Sequence, residues 1–84
     1  MTSAPPVTVR YFAGARAAVG TDTEQRTAHT LDELVGQLVA DHGEGLERVL
    51  TACSFLVDGT STRDRSSVLA PGAVVDVLPP FAGG

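Results

Sequence analysis

The segment Pro79-Pro80-Phe81-Ala82-Gly83-Gly84 stops on two glycines, and the group it offers to chemistry is the carboxylate of Gly84. An α-carboxyl ionises near about pH 3.5, so at neutral pH it is a poor electrophile and must be joined to a leaving group before it reacts. Without a Cβ, Gly83 and Gly84 can enter a channel too narrow for any other residue. Pro79 and Pro80 hold φ near about −65° and favour an extended exit from whatever precedes them. The pattern therefore suits a terminal carboxylate presented to an activating enzyme. Taken alone, a Gly-Gly end reads more readily as a frayed terminus. The rest of the chain has to decide between these readings.

No other residues assemble a competing site. His29 and His42 are far apart in the chain, with no cysteine or carboxylate at metal-ligand spacing, and read as solvated or capping histidines. Gly14 and Gly20 are not a phosphate loop, because the lysine and following Ser/Thr of that motif are missing. Ser54, Ser61, Ser66 and Ser67 have no plausible triad partners in so short a chain. Cys53 is the single cysteine, which excludes an internal disulfide and a cysteine cluster and fits a reducing compartment. Beside Phe55 and Leu56 it reads as a buried thiol. The chain is not expected to be an enzyme on its own or to bind a cofactor.

With 84 residues there is room for one domain and one core. Ten acidic residues against six basic ones give a net charge of −4, the wrong sign for a nucleic-acid footprint. All six basic residues are arginines, so no side-chain amine is present to receive an isopeptide bond. Residues 1–6 lack the basic and apolar regions of a signal peptide and read as a loose lead-in. No apolar run is long enough to span a bilayer. A soluble, cytoplasmic protein is expected, with a domain over residues 1–78 and a tail over 79–84.

The elements that must position the tail follow from periodicity. Val7, Val9 and Tyr11 alternate with Thr8, Arg10 and Phe12 in a β-branched and aromatic run, which predicts a first strand; Phe12 is assigned to the core with it. Gly14 to Gly20 suits about one helical turn. Thr21 to His29 is weakly strand-like and by position pairs with the first strand. Leu31, Leu34, Val35, Leu38 and Val39 fall on one helical stripe, opened by the capping box Thr30-x-x-Glu33 and stopped at Gly43. Gly36 inside this helix predicts a close neighbour, since it costs about 1 kcal/mol relative to alanine. Leu46, Val49 and Leu50 make a second helical patch. Ser54 to Val57 is a strand ending at Asp58-Gly59, a type I′ hairpin turn, and Ala70-Pro71-Gly72 is a type II turn. Val74, Val75, Val77 and Leu78, with Asp76 the one polar residue among them, predict a central, buried last strand.

Strands in this order with one main helix covering a mixed sheet describe an α+β fold, the ubiquitin-like β-grasp, with an extended C-terminal Gly-Gly tail. The residues also carry a family resemblance. Val9-Arg10-Tyr11-Phe12-Ala13, Ala15-Arg16, Val19-Gly20, Thr30-Leu31-Asp32-Glu33-Leu34, Phe55-Leu56-Val57-Asp58-Gly59 and Leu78-Pro79-Pro80-Phe81-Ala82-Gly83-Gly84 resemble the small subunits of molybdopterin synthase, in the MoaD/ThiS sulfur-carrier group. The most specific piece is Pro-Pro-x-x-Gly-Gly directly after the final strand. Ala17 and Gly72-Ala73-Val74 stand where members often carry acidic residues, which leaves open the identity of the activating enzyme.

The resemblance implies a mechanism. An E1-like adenylyltransferase joins Gly84 to AMP from ATP, a sulfurtransferase donor displaces the AMP, and a thiocarboxylate remains on Gly84. That sulfur then attacks a pterin precursor in the active site of the large synthase subunit, two small subunits serving one heterotetramer. Any ATP is bound by the activating partner; no cofactor, nucleic acid or membrane is implied for this chain. Pro79, Pro80, Phe81, Ala82 and Gly83 would be recognised in the partner's channel, largely through backbone hydrogen bonds. Phe81 is the one large apolar group of the tail and reads as an interface anchor, the alternative being packing on its own sheet. Two other uses share the fold and the terminus: a sulfur carrier for thiamine or cysteine biosynthesis, and a ubiquitin-like protein modifier.

Overall fold

The computed structural model describes residues 5–80. Alternation along β1 (Val7–Tyr11) buries Val7, Val9 and Tyr11 and turns Thr8 and Arg10 outward. α1 (Ala13–Val19) follows and ends at Gly20, whose φ of 87° needs the left-handed freedom of glycine. It runs seven residues, longer than the single turn expected. β2 (Thr23–Arg26) returns antiparallel to β1, as its position predicts. α2 (Leu31–His42) buries Leu31, Leu34, Val35 and Leu38 on one stripe. Thr30 Oγ1 accepts the Glu33 backbone N–H at 3.2 Å, which is one arm of the expected capping box. The Glu33 carboxylate lies instead 3.5 Å from His29 Nδ1.

α3 (Glu44–Ala52) begins immediately after Gly43 and buries Leu46 and Leu50. It leads into β3 (Ser54–Val57), which pairs with β4 (Thr60–Thr62) across Asp58-Gly59. Both turn residues have positive φ, 49° and 85°, the signature of the predicted type I′ turn. The type II turn also forms, with Ala73 N–H donating to Ala70 C=O at 3.0 Å and Gly72 at φ 79°.

β5 (Val74–Leu78) closes the sheet in the order β2-β1-β5-β3-β4. It is parallel to β1 and antiparallel to β3, so the last strand is central, as its composition predicts. The inward side chains of β1, β3 and β5 meet those of the three helices in one cluster: Val9, Leu31, Leu38, Leu46, Val75 and Val77 are completely buried. This is the expected mixed-sheet β-grasp architecture, with α1 and α3 as shorter helices beside the main helix α2.

Three expectations are corrected. Phe12 is not core: it lies one residue past β1, caps the start of α1 in extended backbone and is 36% exposed. The same alternation that buries Tyr11 sends Phe12 to the other side. Gly36 has no close neighbour; a Cβ there would meet nothing within 4 Å, and the position is exposed. His42 is not solvated: its side chain is 19% exposed and its Nε2 lies 2.9 Å from Glu24 Oε1.

Candidate functional site

Leu78 ends the central strand, fixed by Val77 pairing with Tyr11 on one side and Phe55 on the other. Pro79 is half-buried and Pro80 is exposed, so the chain leaves the sheet at the end of its central strand. The predicted site residues Phe81, Ala82, Gly83 and Gly84 lie outside the described residues. What the structure does describe is the platform from which they depart. Phe12 N–H donates to Val77 C=O at 3.3 Å, and Ser54 pairs with Leu78. The start of α1 and the start of β3 therefore flank the exit.

The outward face of the sheet adjoins that exit. By register, Thr8 and Arg10 of β1, Val74, Asp76 and Leu78 of β5, and Ser54 and Leu56 of β3 share this side. At its centre Arg10 clamps Asp76 with both arms of the guanidinium: Nε to Oδ1 at 2.5 Å and Nη2 to Oδ2 at 2.6 Å. Asp76 is only 7% exposed, and this pairing is what makes a carboxylate tolerable in a central strand. The hydrogen bond and charge of Asp76 in turn hold Arg10 more firmly protonated. Arg10 also lies over the Phe12 ring, 5.8 Å from its centroid. Around the pair sit the partly exposed Leu56, Val74 and Leu78. The result is an apolar patch with a neutralised ion pair inside it, continuous with the tail's point of exit.

Sequence reasoning noticed Asp76 as the lone polar residue of its strand but did not pair it with Arg10. The signal was available in part, since both are single charges at outward positions of strands that had to be neighbours. A second cluster carries no such local signal. On the helix side, Glu24 accepts the Tyr11 hydroxyl at 2.5 Å and meets His42 Nε2 at 2.9 Å and Arg26 Nη2 at 3.3 Å; Arg26 also binds Asp41. The His42 ring meets the Tyr11 ring edge-on at 6.4 Å. Burial, and then the bond to Glu24, push the Tyr11 hydroxyl well above its ordinary pKa. Burial alone would raise Glu24, but the hydrogen bonds from Tyr11 and His42 and the nearby charge of Arg26 outweigh it and hold the carboxyl below its ordinary value. This cluster ties the end of α2 to the β1–β2 hairpin.

His29 is exposed, and among the described residues its side chain pairs only with Glu33. Cys53 is half-buried, donates to Val49 C=O at 3.0 Å, and has its thiol pKa pushed up by burial. A raised thiol pKa is the opposite of what a nucleophilic cysteine needs. Among the described residues no helix is long and apolar enough to cross a membrane.

The chemistry on offer is thus presentation of a tail from a rigid strand beside a flat, mostly apolar face. Comparison with known proteins agrees with the fold. The fold is similar to the solution structure of small archaeal modifier protein 1 from Methanosarcina acetivorans, at TM-score 0.82 and 20% identity over 99% of this chain and 100% of that one. It is similar to a putative molybdopterin converting factor subunit 1 from Pyrococcus furiosus, at TM-score 0.76 and 23% identity over 92% and 99%. A chain of the complex of subunits 1 and 2 of molybdopterin-converting factor from Helicobacter pylori matches at TM-score 0.72 and 28% identity over 94% and 99%. No curated protein sequence matches. The model of the ThiS family matches residues 9–84, from the first strand through both glycines, and the chain belongs to that family of ubiquitin-like sulfur carriers.

Proposed function

We propose that this chain is the sulfur-carrying small subunit of molybdopterin synthase. The observation that carries the reading is Pro79-Pro80 set immediately after a buried central strand in a ThiS-family chain whose sequence runs on to Gly83-Gly84. The Helicobacter pylori neighbour, a subunit 1 in complex with a subunit 2, supports a large-subunit partner.

In this mechanism the Gly84 carboxylate attacks the α-phosphate of ATP on an E1-like enzyme, releasing pyrophosphate and leaving an acyl-adenylate. A persulfide-bearing donor displaces AMP to give an acyl disulfide, and a second thiol attacks the donor sulfur of its S–S bond, releasing the thiocarboxylate and leaving a disulfide on the donor. Sulfur is softer and more nucleophilic than oxygen, so the thiocarboxylate attacks a carbon of the pterin precursor, the new C–S bond replacing a C–O bond whose oxygen leaves. Hydrolysis of the resulting thioester returns Gly84 to its carboxylate. Throughout, this chain positions. Arg10–Asp76 keeps β5 in register, Leu56, Val74 and Leu78 meet the partner, and Phe81 anchors the tail in the partner's channel.

The test is reconstitution with the E1-like enzyme, ATP, a sulfur donor, the large subunit and the cyclic pterin precursor. Intact mass should show sulfur replacing one oxygen on Gly84, followed by dithiolene pterin and return of the carboxylate form. The fold of the archaeal modifier neighbour keeps a second reading open, in which Gly84 is joined to lysines of other proteins. Isopeptide-linked Gly84 with no pterin product would establish that reading instead.

A further inference from the structure

Between α2 and α3 runs a groove of about 350 Å³, with Val35 and Gly36 of α2 and Leu50 of α3 along its floor and Asp32, Glu47 and Arg65 at its rim. Nothing inside the chain accounts for Gly36. Its backbone is helical and has none of the positive φ values found at Gly20, Gly43, Gly59 and Gly72. No neighbour crowds it, since a Cβ there would meet nothing within 4 Å. A mid-helix glycine nevertheless costs about 1 kcal/mol relative to alanine. What the missing side chain does supply is depth, because the groove here reaches the α2 backbone itself.

The charge of the rim identifies what fits. Asp32 and Glu47 face the single guanidinium of Arg65, which lies 3.9 Å from Asp32, and among the described residues Glu47 makes no ion pair. Arg48 follows Glu47 in the chain but does not line the groove. A second copy of this chain would bring like charge to like on a protein of net charge −4, so the occupant is a different, basic protein. Walls made of helices offer no free N–H or C=O for an extended strand to pair with, whereas a helix satisfies its own backbone. We propose that the α2–α3 groove receives an amphipathic helix of a partner protein, with a leucine-sized side chain seated over Gly36 and lysine or arginine beside Glu47 and Asp32. The helices pack on the inner face of the sheet and Arg10–Asp76 lies on its outer face, so this partner and one docked on the outer patch bind at the same time. The site goes beyond the reading above and does not depend on it.

The test is titration of the full chain with a synthetic helical peptide that carries leucine along one face and lysine along its flanks, followed by amide NMR and calorimetry. Amide shifts should saturate and centre on Val35, Gly36, Glu47 and Leu50. Exchanging the peptide's lysines for glutamate, or its leucines for alanine, should each weaken binding at least about ten-fold. Gly36→Ala and then Gly36→Leu should bind progressively more weakly, the leucine variant by at least about ten-fold, while both melt at or above the wild-type temperature. Affinity and stability then move in opposite directions, which loss of folding would not produce. Glu47→Gln should weaken binding about three-fold and flatten its dependence on salt. Shifts that do not saturate or that centre elsewhere, equal binding of the glutamate peptide, or undiminished binding by the Gly36 variants would overturn the proposal. Shifts at the same residues that depend on the concentration of the free chain would overturn it in favour of a second copy. No sulfur chemistry enters the measurement, so its failure is separable from any failure of sulfur transfer.

Discussion

Glu24→Ala, on the face of β2 turned toward α2, is expected to destabilise the domain strongly for a single polar change. The carboxylate is 19% exposed, receives the Tyr11 hydroxyl at 2.5 Å and touches His42 at 2.9 Å. A hydrogen bond to a charged group contributes about 1.5–3 kcal/mol, and a buried donor left without an acceptor costs about 1–3 kcal/mol. Tyr11 is 2% exposed and loses its acceptor outright, whereas Arg26 keeps Asp41 and His42 keeps some access to solvent. The loss should therefore be about 2–4 kcal/mol, or a melting point lower by about 10–25 °C in a domain of this size. Urea unfolding of Tyr11→Phe, Glu24→Ala and the double variant isolates the pair, and the coupling should be at least about 1 kcal/mol. The pH dependence has a defined sign. Because the folded-state pKa of Glu24 lies below its ordinary value of 4.5, its contribution is full above that value and disappears as pH falls through the lower folded value. Coupling below about 0.5 kcal/mol, or coupling that persists after Glu24 has been protonated, would refute the reasoning.

The other predictions test separate parts of the molecule. Gly36→Ala should stabilise the domain by about 0.5–1 kcal/mol in thermal melts, because the new methyl meets nothing within 4 Å and the residue is mid-helix. Thr30→Ala should cost about 1 kcal/mol by removing the cap on α2, with activity preserved at permissive temperature. Leu56→Glu places a charge on the half-buried outer face beside Asp76; calorimetric titration should show affinity for the large subunit falling at least ten-fold while the melting point changes little. Deleting Gly84, or adding one residue after it, should abolish sulfur transfer in the reconstituted assay with thermal unfolding unchanged, and retained activity after either change would sink the terminal-carboxylate mechanism.

What the sequence disclosed was what local pattern encodes. The stripe of α2, its Thr30 cap, the Asp58-Gly59 and Pro71-Gly72 turns and the buried character of β5 depend on residues a few positions apart, and all form as expected. β4 was not singled out as a strand because Thr60-Ser61-Thr62 has no hydrophobic alternation; it exists through pairing with β3 at the sheet edge. Phe12 was assigned to the core from the company it keeps, although its parity in β1 pointed outward. Gly36 was read as a packing constraint, but glycine can also stand in a helix with open space beside it, at a cost the core of α2 absorbs. The Arg10–Asp76 clamp joins residues 66 apart, and the Glu24 cluster needs β2 and the end of α2 brought together. The first is signalled only in part, by two lone outward charges, and the second is not visible until the topology is known.

The topology also explains why a tail ending in two glycines can serve the proposed chemistry. In the proposed chemistry the same carboxylate enters one active site to be activated and another to give up its sulfur, so apart from Phe81 little binding energy can be concentrated in tail side chains shaped for one channel. A rigid face must supply it instead. Here the last strand is hydrogen-bonded on both sides, which fixes the direction of exit at Leu78 to the patch formed by Leu56, Val74 and Phe12. Docking that patch on a partner therefore restricts where the tail can go before any tail contact forms. Ordering each backbone residue costs about 1–2 kcal/mol, and Pro79 and Pro80 lower that cost because much of their freedom is absent from the start. Replacing both prolines with glycine should consequently leave the fold and the patch intact, weaken productive engagement with both partners, and do so through kcat/KM rather than through the melting point.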